Sequence, residues 1–324
     1  MTKPAPLFDR LAVIGVGLIG SSIARAARAL GLVETIVAAD RSQPTRARVA
    51  ELGLADEVVD TNAAAAAGAD LVIVCVPVGV CGAVAREIGP HLKPGAVVSD
   101  VGSVKSAVVR EMAPHIPAGV HFIPGHPVTG TEHSGPDAGF AELFVNRWCI
   151  LTPEKDADKS AVERLSLFWK AFGASVEIMS AEHHDLVLAV TSHVPHLIAY
   201  NIVGTDFDLR LVTESEILKY SAGGFRDFTR IAASDPTMWR DIFLYNKDAV
   251  LEVLGRFNED LATLTRAIRR SDGETLFNLF AERRAIRRGM SALSLDSPAP
   301  DFQRPDSEPR SEPLPRPYAG SDEG

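Results

Sequence analysis

The residues able to do chemistry in this chain are gathered in a few short stretches. The most pointed is Gly125-His126-Pro127. A residue before proline is pushed out of helical geometry, so His126 must lie on extended backbone. An imidazole titrates near neutrality, which suits a group that accepts a hydroxyl proton. Read alone, the same histidine could simply tie down its own turn. Ser103 follows an apolar strand, Ala96 to Ser99, and precedes a helical pattern, Val104 to Val108. It caps that helix, or aims its hydroxyl at a ligand, and the two are compatible. Further on, Ser192-His193-Val194-Pro195-His196 sets two histidines at i and i+3 at a helix start. A metal would need a third ligand from His183, His184 or His133, and nothing in the spacing calls for one, so no metal is assigned. A histidine touching substrate is the better reading. Arg226 and Arg230 follow the Gly223-Gly224 pair at i,i+4 on a short helix, facing the same way. Two guanidinium forks near a cleft suit a dianion; the plainer alternative is a salt-bridged surface that includes Asp227.

These groups need a scaffold, and the N-terminal residues describe one. The strand Leu11 to Ile14 runs into Gly15-Val16-Gly17-Leu18-Ile19-Gly20, then an apolar helix, then a second strand ending in Asp40. Gly15 permits the tight turn, Gly17 lets backbone approach a pyrophosphate, and Gly20 lets helix pack on strand. The amides of Leu18 and Ile19 then sit at the positive end of the helix. Asp40 is placed to accept hydrogen bonds from ribose hydroxyls and to repel an extra phosphate, so the cofactor expected is NAD rather than NADP. Arg41 stacks on the adenine or pairs at the surface. Beside a nicotinamide, the proton-accepting reading of His126 displaces the bland one.

From 8 to 180 the chain alternates strands and helices, as a doubly wound (Rossmann-type) parallel sheet covered on both faces requires. Ligands bind outside the carboxyl ends of such strands, which selects the loops after Val76, Ser99 and Pro124. Residues 181–290 read as all helix, including one stripe of apolar residues from Asp235, an N-cap with Pro236 behind it, to about residue 268. At ~1.5 Å per residue that helix would run roughly 50 Å, long enough to bury itself against a second copy. A homodimer is expected. Residues 291–324 hold seven of the 21 prolines and seven acids against three arginines, and read as a disordered tail. A net charge of −9 excludes nucleic acid and anionic membrane surfaces as partners. No apolar run reaches transmembrane length, no leader is evident, and the three cysteines form no C-x-x-C pair, so a cytoplasmic protein is expected.

Gly-Ser-Val-Lys (102–105), Gly-His-Pro-Val-Thr-Gly-Thr-Glu (125–132), Ser-His-Val-Pro-His (192–196) and the run from Gly223 to Asp241 occur in that order. Together they resemble the prephenate/arogenate (cyclohexadienyl) dehydrogenases of tyrosine biosynthesis over roughly residues 8–290. The resemblance implies NAD-dependent oxidative decarboxylation of prephenate or arogenate. It makes His126 the acceptor for the ring hydroxyl and Ser103 the group that orients it. His196, Arg230 and Trp239 would line the substrate pocket, with Arg230 on a carboxylate. Thr131 and Glu132 match pocket positions, Glu132 within reach of Arg226, where the family often has lysine. A β-hydroxyacid dehydrogenase shares the layout but relies on a helical lysine, and residues 181–222 offer only Lys219 without its motif. A dinucleotide-binding protein without chemistry is disfavoured by intact Ser103, His126 and Arg230.

Overall fold

The computed structural model describes residues 6–131, 133–208 and 223–292. Glu132 and the 293–324 part of the expected tail lie outside them. The chain up to Phe280 is one compact unit, and a second begins at Ala281.

Six parallel strands form the main sheet: β1 (Phe8–Ile14), β2 (Val33–Ala39), β3 (Glu57–Val59), β4 (Leu71–Val74), β5 (Val97–Asp100) and β6 (His121–Phe122), in the order β3-β2-β1-β4-β5-β6. The helices between them are α1 (Leu18–Leu30), α2 (Gln43–Glu51), α3 (Asn62–Ala66), α4 (Cys81–Ile88) and α5 (Ser106–Met112). Side chains alternate across each strand, and this divides the core in two. Leu11 and Val13 face α1 and the aromatic helix α6 (Lys159–Ala171), whereas Ala12 and Ile14 face the layer of α3, α4 and α5. Trp239 and Ile242, from the helical half, are buried in that second layer.

The expected strand Val120 to Pro124 is instead divided between two sheets. Ile123 still donates to Val98 O of the parallel sheet at 2.9 Å, but Pro124 has no N–H to continue the ladder. Its carbonyl accepts from Thr152 N at 2.9 Å, and the chain passes into a separate sheet. There β7 (Gly125–Pro127) runs antiparallel to β8 (Trp148–Leu151), which runs parallel to β9 (Ser175–Ile178). The parallel sheet therefore ends sooner than expected, and His126 lies just past its edge.

In the helical half, α7 (Ala181–Leu188) and α8 (Val194–Asp208) are joined by a π-turn over Ala189–His193. Pro195 follows the turn directly; lacking an N–H it cannot close the ordinary bond to Thr191, so the wider turn is accommodated there. The segment Ala181–Thr205 is long and apolar enough by composition to cross a bilayer, which corrects the sequence expectation. Its inner face carries His184 and Asp185, both buried in the protein. The single long helix expected after Asp235 is two helices, Pro236–Tyr245 and Lys247–Arg269, interrupted at Asn246 with φ −106° and ψ 30°. Asn246 leaves the stripe because its amide is drawn inward to hydrogen-bond buried groups. Leu251, Leu261 and Ile268 on the second of these helices are exposed.

Candidate active site

The strand order reverses between β1 and β4, so their carboxyl ends open a crevice. Gly15 has φ +88°, and a Cβ there would come within 2.5 Å of Cys75 O and 2.9 Å of Val76 Cγ1. A Cβ on Gly20 would meet Gly15 O at 2.2 Å. Both glycines are therefore required by the chain's own packing. Gly17 differs: a Cβ there has nothing within 4 Å, so the turn presents bare backbone to open space. No side chain caps α1, which leaves the amides at its start, Leu18 and Ile19 among them, for an outside acceptor. Asp40 accepts from Val16 N at 3.0 Å and from Ser42 N at 2.8 Å, which ties the acid at the end of β2 to the glycine turn. Arg41 is exposed, and Val76 half-buries itself beside Gly15. An open glycine, uncapped amides and a fixed acid fit a dinucleotide.

Beyond β5 the second half of the site is assembled from side chains. Lys105, wholly buried, donates to Asp100 Oδ2 at 2.5 Å and to Gly125 O at 2.6 Å, while Gly125 N donates to Asp100 Oδ1 at 3.2 Å. This buried pair pins the start of β7 to the end of β5, and with it the backbone of His126. The His126 ring meets His184 through Nδ1 and Nε2, 2.8 Å apart, and His184 Nδ1 lies 2.8 Å from Asp185 Oδ1. Asp185 also accepts from Lys105 N at 2.7 Å and Ser106 N at 2.9 Å. The start of α5 is thus capped by a carboxylate from α7, and Ser103 is not its N-cap. Ser103 lies half-buried in the loop before α5, with no hydrogen bond to its hydroxyl among the described residues. That leaves the hydroxyl available to a ligand.

Burial, reinforced by His184, Lys105 and His193, holds the His126 imidazole well below its ordinary range, so it is neutral at neutral pH. Burial pushes the Asp185 carboxyl up, but the bonds from His184 and the two amides outweigh it, and the group stays ionised.

A second cluster adjoins the first through Asn246, whose amide donates to Asp185 O at 2.8 Å and meets His193 Nδ1 at 3.0 Å. His196 stacks on Trp239 with ring centres 3.7 Å apart. Burial, and behind it the charge of Arg230, lowers the His196 pKa. His193 Nε2 and Trp239 Nε1 are buried without partners among the described residues, two donors left for a ligand. Arg230 opens a 3₁₀ turn, Arg230–Ala233, because the helix Gly223–Thr229 stops one residue short. The expected i,i+4 register with the exposed Arg226 is therefore not helical throughout. Thr131 lies in the loop after β7, its hydroxyl accepting from His133 N at 3.2 Å.

Comparison with known proteins agrees with this division of parts. Residues 23–178 match the family model for the prephenate dehydrogenase nucleotide-binding domain, and residues 180–282 match the model for its dimerization domain. The chain belongs to the prephenate dehydrogenase family. Among family members, it is 44% identical over 281 residues to the cyclohexadienyl dehydrogenase of Zymomonas mobilis, covering 87% of this chain and 96% of that one. It is 34% identical to the prephenate dehydrogenase of Bacillus subtilis, covering 87% and 76%. A crystal structure of prephenate dehydrogenase from A. aeolicus with hydroxyphenyl propionate and NAD+ superposes with a TM-score of 0.80 at 34% identity, covering 87% of this chain and 98% of that one.

The members of the site that escaped the sequence reading are His184 as partner of His126, Asp185, Asn246 and the buried Asp100–Lys105 pair. His184-Asp185, an adjacent imidazole and carboxylate in the second turn after the Ser180 cap, was a usable signal. Nothing local marked Asn246, whose polar side chain interrupts an apolar stripe without a breaker residue.

Proposed function

We propose that this protein oxidatively decarboxylates prephenate, arogenate or both with NAD, in the synthesis of tyrosine, and that residues 8–180 hold the cofactor while 181–290 complete the substrate pocket and the interface of a cytoplasmic homodimer. The observation that carries the reading is a buried, neutral imidazole, His126, fixed at the carboxyl end of the parallel sheet with nothing bonded to its Nε2 among the described residues.

Prephenate is a cyclohexadienol with a ring carboxylate para to its hydroxyl. Gly15, Gly17, Gly20, the amides of Leu18 and Ile19, Asp40 and Val76 would hold NAD, which supplies the hydride acceptor. His126 takes the hydroxyl proton as the hydride leaves the same carbon. The C–CO2 bond then breaks, its electron pair enters the ring, and the phenolate oxygen recovers the proton from His126. Carbon dioxide and a phenol result, with no net proton released. Ser103, with its unbonded hydroxyl, orients the reacting oxygen. His196 and Trp239 offer a flat wall to the ring, and Arg230 anchors a carboxylate. The exposed apolar residues of Lys247–Arg269 support the homodimer. Tight negative charge at Asp40 favours NAD over NADP.

Steady-state rates with prephenate and arogenate, each paired with NAD and NADP, test the assignment. Replacing His126 with Asn should cut kcat by about a thousandfold while NAD affinity stays within about twofold. Turnover that survives the substitution would remove His126 from the chemistry, and no turnover of either substrate by the native protein would remove the activity.

A further inference from the structure

We propose that His184 and Asp185 are positioning residues that set the tautomer of His126, so that its Nε2 is the bare lone pair facing the substrate. The inference rests on His126 being the proton acceptor. It follows from donor and acceptor arithmetic along one chain of contacts. An ionised carboxylate only accepts, so the 2.8 Å contact with Asp185 Oδ1 places a hydrogen on His184 Nδ1. A neutral His184 then has a lone pair on Nε2. The 2.8 Å contact between that nitrogen and His126 Nδ1 requires one hydrogen, which must be carried by His126 Nδ1. His126, itself neutral, is left with an unprotonated Nε2.

The opposite arrangement would need a doubly protonated His184 or a protonated Asp185. Burial and the nearby Lys105 ammonium oppose the first, outweighing Asp185. The second is opposed by two backbone amides, Lys105 N and Ser106 N, that already donate to the carboxylate. Asn246 holds the same residue from its other side through its carbonyl. The ionised groups that face the histidine pair are thus Asp185, Lys105 and Asp100, with His193 beyond them neutral. Neither internal hydrogen moves during the reaction: the substrate O–H bond breaks, an Nε2–H bond forms on His126, and the same proton later returns to the product oxygen. Asp185, acting through His184, offsets the charge of the transient imidazolium.

Nitrogen-15 spectroscopy of the histidine-labelled native enzyme reads the tautomer directly, with the His126 signals assigned by their loss in H126N. At neutral pH the expected pattern is a protonated Nδ1 and a bare Nε2; a protonated Nε2 in the native enzyme overturns the proposal without any variant having to fold. In Asp185→Asn no carboxylate obliges His184 Nδ1 to carry the hydrogen, so the chain no longer holds His126 Nε2 bare. The expected result is a loss of kcat of about a hundredfold or more, with NAD affinity and prephenate KM within about threefold. His184→Gln, whose oxygen still accepts from His126 Nδ1, should recover at least tenfold of the rate lost in His184→Leu. If H126N abolishes turnover while Asp185→Asn keeps both kcat and the native tautomer, this proposal fails alone. If H126N keeps turnover, the acceptor reading beneath it is what has failed.

Discussion

The glycine turn and the histidine cluster are built on opposite principles. The turn acts through backbone: no charged side chain is needed where Gly17 and the start of α1 face open space, and the shape is enforced by two close approaches. The cluster turns on side chains brought from β7, α7 and Asn246, anchored by the backbone amides at the start of α5, each satisfying the next. A nucleotide phosphate makes much the same demand in every dehydrogenase, and backbone meets it. Moving one proton at one atom demands a particular tautomer, and only a chain of partners fixes that.

The sharpest way to break the comparison is within the turn itself. In Gly20→Ala the new methyl would lie 2.2 Å from Gly15 O, an overlap with backbone that cannot swing away. The expected cost is more than about 3 kcal/mol, read as a fall in Tm of roughly five degrees or more. Gly17→Ala meets nothing within 4 Å, so its Tm should stay near the native value while NAD affinity drops about tenfold. Equal losses of Tm in the two variants would show that Gly17 serves packing rather than a ligand.

On the substrate side, Arg230→Ala removes the guanidinium that acts on His196. A charge-assisted pair with a carboxylate is worth about 2–3 kcal/mol, so KM for prephenate should rise on the order of a hundredfold. The native tautomer of His126 should survive, because Arg230 has no place in the chain that sets it. A matching fall in kcat with KM unchanged would move Arg230 from anchoring to chemistry.

How much was legible in the sequence follows the same divide. The glycine spacing, Asp40, and the alternation of β1, β2 and β4 were readable because each depends on neighbours a few residues away. His126 was readable because proline constrains the residue before it. What was hidden depends on contacts made across the chain. Asp185 replaces Ser103 as the cap of α5 from some 80 residues away. Pro124 sends its successor into a different sheet because Thr152 N is there to donate to its carbonyl. The stripe after Asp235 keeps its helical period through residue 246, and only the buried groups of Asp185 and His193 explain why the helix breaks there.

Acid offers the mildest probe and separates the two regions in one titration. His193 is driven by burial from 6.5 to about 4, and His126 and His184 are lowered as well. Each binds its proton more readily in the unfolded chain, so the stability they contribute is fully present above about pH 6.5 and is lost as pH falls toward their folded values. At pH 5 the loss from His193 alone is roughly 2 kcal/mol. The glycine turn, Gly15 to Gly20, holds no histidine by comparison. Tm should therefore fall between pH 6.5 and 5, and replacing His193 with Phe should flatten that slope by about the same amount. A slope unchanged by that replacement would mean that the acid sensitivity is held by His126 and His184, and the cluster's own tautomer chain would then be what acid dismantles first.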